Sequence, residues 1–113
     1  MTFKLEAKIG VKLELSDRGY DVILASDVRS GIHILKERNI SLVILDIKMP
    51  RMDGIEALQK IICFNKELPI IIHSAYSHFR ENYLTWSADD YVIKSSNIEV
   101  LLKSIERQFN NFI

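Results

Sequence analysis

The sequence predicts an α/β fold with a doubly wound, mainly parallel sheet. Two observations carry this. From residue 20 onward, short apolar runs alternate with segments of helical periodicity. The most apolar run, Leu42-Val43-Ile44-Leu45, is uninterrupted, as a central parallel strand covered on both faces requires. A length of 113 residues leaves room for one hydrophobic core, so a single domain over 1–113 is expected, with residues 1–18 atypical.

Tyr20 to Ala25 reads as a strand. Ser26 or Asp27 can cap the helix that follows, in which Val28, Ile32 and Leu35 recur at helical spacing and which Asn39 closes. The Leu42 to Leu45 strand runs directly into Asp46, which places a carboxylate where parallel sheets bind ligands, outside the carboxyl ends of the strands. Pro50 and Gly54 bracket a loop, and Ile55, Leu58, Ile61 and Ile62 then mark the inner face of a helix. Pro69 to His73 forms the next strand, with Ser74 and Ala75 at its exit, and Phe79, Tyr83 and Trp86 form the stripe of a short helix. Tyr91-Val92-Ile93 is the last strand and Lys94 stands at its end. Ser96-Asn97-Ile98-Glu99 has capping-box spacing and opens a helix whose core face is Ile98, Leu101, Leu102, Ile105 and Phe109.

Residues 3 to 15 divide the evidence. Phe3, Leu5, Ala7, Ile9, Val11, Leu13 and Leu15 alternate with mostly charged residues, which is strand periodicity, whereas Lys, Leu, Glu and Ala favour helix. A hairpin turning at Ser16-Asp17-Arg18-Gly19 follows from the alternation.

Composition narrows the class of function. Fifteen basic and fifteen acidic side chains cancel, so no long-range field draws the chain to nucleic acid or an acidic membrane, and a partner must be recognised locally. The charged N-terminus excludes a signal peptide there, and no apolar run is long enough to span a bilayer. Cys63 is the only cysteine, which points to a reducing compartment, and a cytoplasmic location is expected.

The segment Leu45-Asp46-Ile47-Lys48-Met49-Pro50-Arg51-Met52-Asp53-Gly54 resembles the phosphorylation loop of response-regulator receiver domains. Ser74-Ala75 matches that family's Ser or Thr and small residue after the fourth strand, and Tyr91 and Lys94 match its aromatic and lysine at the fifth. The resemblance spans residues 19 to 113 and implies a flavodoxin-like receiver fold and a part in two-component signal transduction. It also implies roles: Asp46 is the phosphoacceptor and a Mg2+ ligand, the Lys48 backbone carbonyl is a second ligand, Lys94 pairs with the phosphoryl oxygens, Ser74 donates a hydroxyl to them, and Tyr91 and Ala75 belong to the switch. The chemistry explains the combination, because a carboxylate can attack a phosphohistidine only if the charges of nucleophile and phosphoryl group are neutralised as they approach. His73 reads as a packed or hydrogen-bonded strand residue rather than a general base, and Asp89 and Asp90 as a solvated turn.

The sequence also departs from the family. Receiver domains begin with a buried strand ending in two acids, and counting back from Arg18-Gly19-Tyr20 places those positions at Thr2 and Phe3. The first strand is therefore expected to be missing, or replaced from residues 3 to 15, with Mg2+ binding weakened or lost unless Glu6 substitutes. An opened sheet would favour a homodimer. Ser95 stands where the family commonly has proline.

The leading expectation is a stand-alone phosphorylation switch, served by a histidine kinase or phosphotransfer protein. It would act through the face of the fourth helix, fifth strand and fifth helix on a downstream protein, without contacting nucleic acid or membrane itself. The alternative is a pseudo-receiver that binds its partner without phosphorylation. A small aspartate-dependent phosphatase fits less well, since no second catalytic acid stands near Asp46.

Overall fold

A computed structural model describes residues 2–5, 15–25, 28–47, 52–75, 88–94 and 98–110. In chain order the elements are β1 (Thr2–Leu5), β2 (Val22–Ala25), α1 (Val28–Glu37), β3 (Leu42–Ile47), α2 (Met52–Phe64), β4 (Ile70–Ser74), β5 (Asp90–Ile93) and α3 (Glu99–Asn110). The strands form one five-stranded sheet in the order β2-β1-β3-β4-β5, and every pairing is parallel.

The alternation of side chains along each strand divides the core in two. Ala25, Val43, Leu45, Ile70, Ile72 and Tyr91 meet Leu35 of α1 and Ala57, Leu58 and Ile61 of α2 on one face. Val22, Leu42, Ile44, Ile71 and Val92 meet Leu15 and the Leu101, Leu102 and Ile105 stripe of α3 on the other. The uninterrupted apolar run of β3 is thus explained: successive residues feed opposite clusters, and Leu42, Val43 and Ile44 are wholly buried.

Of the two outcomes expected for the first strand, the structure shows replacement. Thr2–Leu5 lies between β2 and β3, pairing with both, so the described sheet has no gap at its centre. The hairpin expectation is corrected. Because β1 and β2 run parallel, no tight turn can join them. Leu15 to Asp17 are helical, the Tyr20 amide donates to the Leu15 carbonyl at 3.1 Å and the Gly19 amide to the Ser16 carbonyl at 3.0 Å. That pair of bonds is a Schellman cap, with Gly19 at φ +91° in the left-handed position the motif needs. Ser16-Asp17-Arg18-Gly19 therefore ends a helix, and Leu15, wholly buried in the second cluster, anchors it. The strand alternation expected for 7 to 14 lies outside the described residues, as do Phe79, Tyr83, Trp86 and the Ser96-Asn97 half of the capping box.

The Asp89-Asp90 reading is also corrected, for Asp90. The Asp89 amide donates to the Ile70 carbonyl at 2.8 Å, and the Ile70 amide donates back to the Asp89 carboxylate at 2.8 Å. Asp90 opens β5, and its carboxylate accepts from Ser104 Oγ at 2.5 Å and Arg107 Nη2 at 2.7 Å, both on α3. Asp90 thus fastens β5 to α3 rather than facing solvent in a turn, whereas Asp89 is exposed in the bend before β5, as expected, and caps the Ile70 amide from there. No helix among the described residues is long and apolar enough to cross a membrane.

Candidate functional site

Three of the residues singled out in the sequence come together at the carboxyl end of the sheet. Asp46 is the penultimate residue of β3 and stands in register with His73 on β4. One row further on, Ile47, Ser74 and Ile93 align across β3, β4 and β5. Lys94 follows Ile93 directly, and its amide donates to the Ser74 carbonyl at 2.6 Å, so the lysine leaves the sheet fixed to the residue beside the acid.

Each position follows from the local sequence. Parallel strands expose their polar residues where the chain leaves the sheet, and β3, β4 and β5 each end an apolar run with such a residue. Ser74 is wholly buried, Lys94 half-buried and Ala75 exposed. With adjacent strands about 4.8 Å apart and Lys94 two residues beyond the row of Asp46, the lysine backbone starts about 12 Å from that of Asp46, a span that both side chains and an intervening phosphoryl group together can bridge. Tyr91 pairs in register with Ile72, is 3% exposed and belongs to the first cluster, so its ring is turned inward in this structure. Lys48 lies outside the described residues.

Thr2 and Phe3 pair with Leu42 and Val43, at the far end of β3 from Asp46, so the positions reached by counting back from Gly19 are not level with the acid. Leu5 pairs with Leu45, the residue just before Asp46. Glu6, which follows Leu5 in the sequence, lies outside the described residues. No group of three or more potential metal-binding side chains occurs among the described residues.

At the opposite end of the sheet, burial tends to raise the pKa of Asp90, but the bonds from Ser104, the Tyr91 amide and Arg107 outweigh it and hold the carboxyl below its ordinary value. Sequence reading missed this cluster. The available signal was the polar pair Ser104 and Gln108, both buried, interrupting the apolar stripe of α3.

The chain belongs to the response regulator receiver domain family, which it matches over residues 6–106. It is 35% identical over 91 residues to the transcriptional regulatory protein ZraR of Escherichia coli O157:H7, covering 79% of this chain and 21% of that protein. The probable transcriptional regulator ycf27 of Porphyridium aerugineum is 36% identical over 110 residues, covering 91% of this chain and 45% of that protein. The chain thus spans from about a fifth to under half of the length of these curated relatives. Among solved structures, the response regulator protein TrrA of Thermotoga maritima, in complex with Mg2+-BeF, superposes with a TM-score of 0.82 at 32% identity, covering 95% of this chain and 96% of that one. A receiver domain protein from Clostridium thermocellum, at 23% identity and a TM-score of 0.85 over 97% of this chain and 94% of that one, attests the same fold. The chain is accordingly a two-component receiver domain, a signalling phosphoacceptor module of the kind that interacts with histidine kinases.

Proposed function

We propose that Asp46 accepts a phosphoryl group from the phosphohistidine of a histidine kinase or phosphotransfer protein, and that the receiver passes its state on through protein contacts. One observation carries the reading: Asp46, Ser74 and Lys94 sit at the carboxyl ends of three adjacent, in-register parallel strands. A carboxylate oxygen of Asp46 bonds to phosphorus while the bond from phosphorus to the imidazole nitrogen breaks, and the departing nitrogen keeps the electron pair. Lys94 supplies positive charge to the phosphoryl oxygens, and Ser74 supplies a hydroxyl donor. Tyr91 and Ala75 form the switch that responds, Tyr91 from the inward position described above.

The donors are hard oxygens, which suit Mg2+. Asp46, the Lys48 carbonyl and Glu6 would hold the ion; the pairing of Leu5, which precedes Glu6 in the sequence, with Leu45, which precedes Asp46, supports the choice of Glu6. Bound there, the ion would neutralise charge between nucleophile and phosphoryl group. The Mg2+-BeF carried by the Thermotoga maritima relative supports this assignment.

Intact-mass measurement after incubation with a small phosphodonor and magnesium tests the reading. One phosphoryl group on wild type and none on Asp46→Asn is expected. A label that survives Asp46→Asn overturns the assignment, and a wild type that takes no label from either a small donor or a phosphohistidine protein would instead make the chain a pseudo-receiver.

A further inference from the structure

β4 reads Ile70-Ile71-Ile72-His73-Ser74, and His73 is only 8% exposed. An imidazole this deep needs a hydrogen-bond partner to offset the water it has lost. Its register partners are Asp46 on β3 and Val92 on β5, and its same-face neighbours along β4 are Ile71 and Ala75. Position 73 shares a face with Ile71 and Val92, which is the face covered by the aliphatic side chains of Leu101, Leu102 and Ile105. Of the residues beside it in register or two along the strand, Asp46 alone has a side-chain acceptor, and it lies one strand spacing away, about 4.8 Å.

Resting on the phosphoacceptor reading of Asp46, we propose that the His73 imidazole donates a hydrogen bond to the Asp46 carboxylate oxygen that does not carry the phosphoryl group, and thereby shortens the lifetime of the phosphorylated state. Either neutral tautomer, like the protonated ring, keeps an N–H for the purpose. When the acyl phosphate is hydrolysed, the oxygen of water bonds to phosphorus. The bond from phosphorus to the Asp46 oxygen breaks, its electron pair returns to the carboxylate, and the proton of water passes to the released phosphate or to solvent. Charge therefore grows on the carboxylate as the reaction proceeds, and a donor already in place on its other oxygen stabilises that charge. The same donor also makes Asp46 a weaker nucleophile, so its removal is not expected to slow loading.

The test loads wild type, His73→Val, His73→Asn and His73→Gln with a small phosphodonor and magnesium, removes the donor, and follows the loss of the label by intact mass. Valine suits a buried strand, and the two amides restore an N–H donor at the depths of the two ring nitrogens. Loss of a hydrogen bond to a charged group predicts a lifetime about tenfold longer in His73→Val than in wild type, with at least one amide variant returning toward the wild-type rate. A His73→Val lifetime equal to wild type overturns the proposal. So does a lifetime lengthened equally in all three variants, which would show packing rather than donation. A label that persists in Asp46→Asn, or a wild type that takes none, overturns the phosphoacceptor reading itself and this inference with it.

Discussion

The two ends of the sheet use the same side chain differently. At the amino end, Asp89 and Asp90 are bonded within the fold: Asp89 to the backbone of Ile70, and Asp90 to Ser104, Arg107 and the Tyr91 amide. At the carboxyl end, Asp46 closes an apolar strand level with His73 and one row from Ser74. The contrast teaches that in a parallel sheet the direction of the strands sorts acids by task. Where strands begin, a carboxylate can fasten an incoming helix. Where they end, it stands at the crevice between loops, where a ligand can reach it.

The largest expected effect that separates the two ends is Lys94→Ala. Loss of one positioned charge at the phosphoryl group should slow labelling of Asp46 by about 10²-fold while leaving thermal unfolding nearly unchanged, since Lys94 is only half-buried. Equal labelling kinetics in mutant and wild type would remove the lysine from the site.

Asp90→Asn should do the reverse, lowering stability by about 1–3 kcal/mol with little change in labelling, as read from urea unfolding and the same mass assay. Its acid limb is informative. Because pairing holds the folded carboxyl below the ordinary aspartate value of about 3.9, the stabilisation is fully present above that value and is lost as pH falls through the depressed folded value. Unfolding midpoints measured from about pH 6 down to about pH 2 should therefore fall less steeply in Asp90→Asn at the acid end.

A finer test concerns metal. Glu6→Gln should raise the magnesium concentration needed for half-maximal labelling by about tenfold, whereas Thr2→Ala should leave it unchanged, because Thr2 pairs with Leu42 at the far end of β3. The reverse result would restore the position reached by counting back from Gly19. The smallest effect belongs to the exposed ion pair Arg18–Glu99, at 3.2 Å, where Arg18→Ala should cost no more than about 1 kcal/mol in urea unfolding.

How much of this was legible in the sequence depends on the range of the interaction that fixes it. The runs of β3, β4 and β5 and the polar residues ending them are local, so Asp46, Ser74 and Lys94 could be placed at one end of a parallel sheet before any coordinates. The start of the chain was harder. Strict alternation from Phe3 to Leu15 is a strong local signal for strand, yet the Leu15 to Asp17 turn is helical and its cap depends on Gly19 adopting a positive φ. Arg18-Gly19 carried that information as a helix stop and was read as a hairpin turn instead. Counting back from Gly19 reaches Thr2 and Phe3 because it assumes a fixed connection length, whereas the level of each residue in the sheet is set by pairing with Leu42 to Leu45. The partners of Asp90 lie 14 and 17 residues further along the chain, beyond the reach of any short motif.

The central place of β1 has a consequence for the order of assembly. During synthesis Thr2–Leu5 emerges before either neighbour, and its backbone finds partners only when Val22–Ala25 and then Leu42–Ile47 have followed. Until then the middle of the future sheet is an unsatisfied segment of nascent chain, and the β1–β3 pairing that closes it joins residues further apart in sequence than any other pairing in the sheet. Such non-local parallel pairings form slowly. Insertion of β1 between its two neighbours is therefore expected late in folding, and a partly folded chain that still lacks it would expose two open strand edges to other molecules.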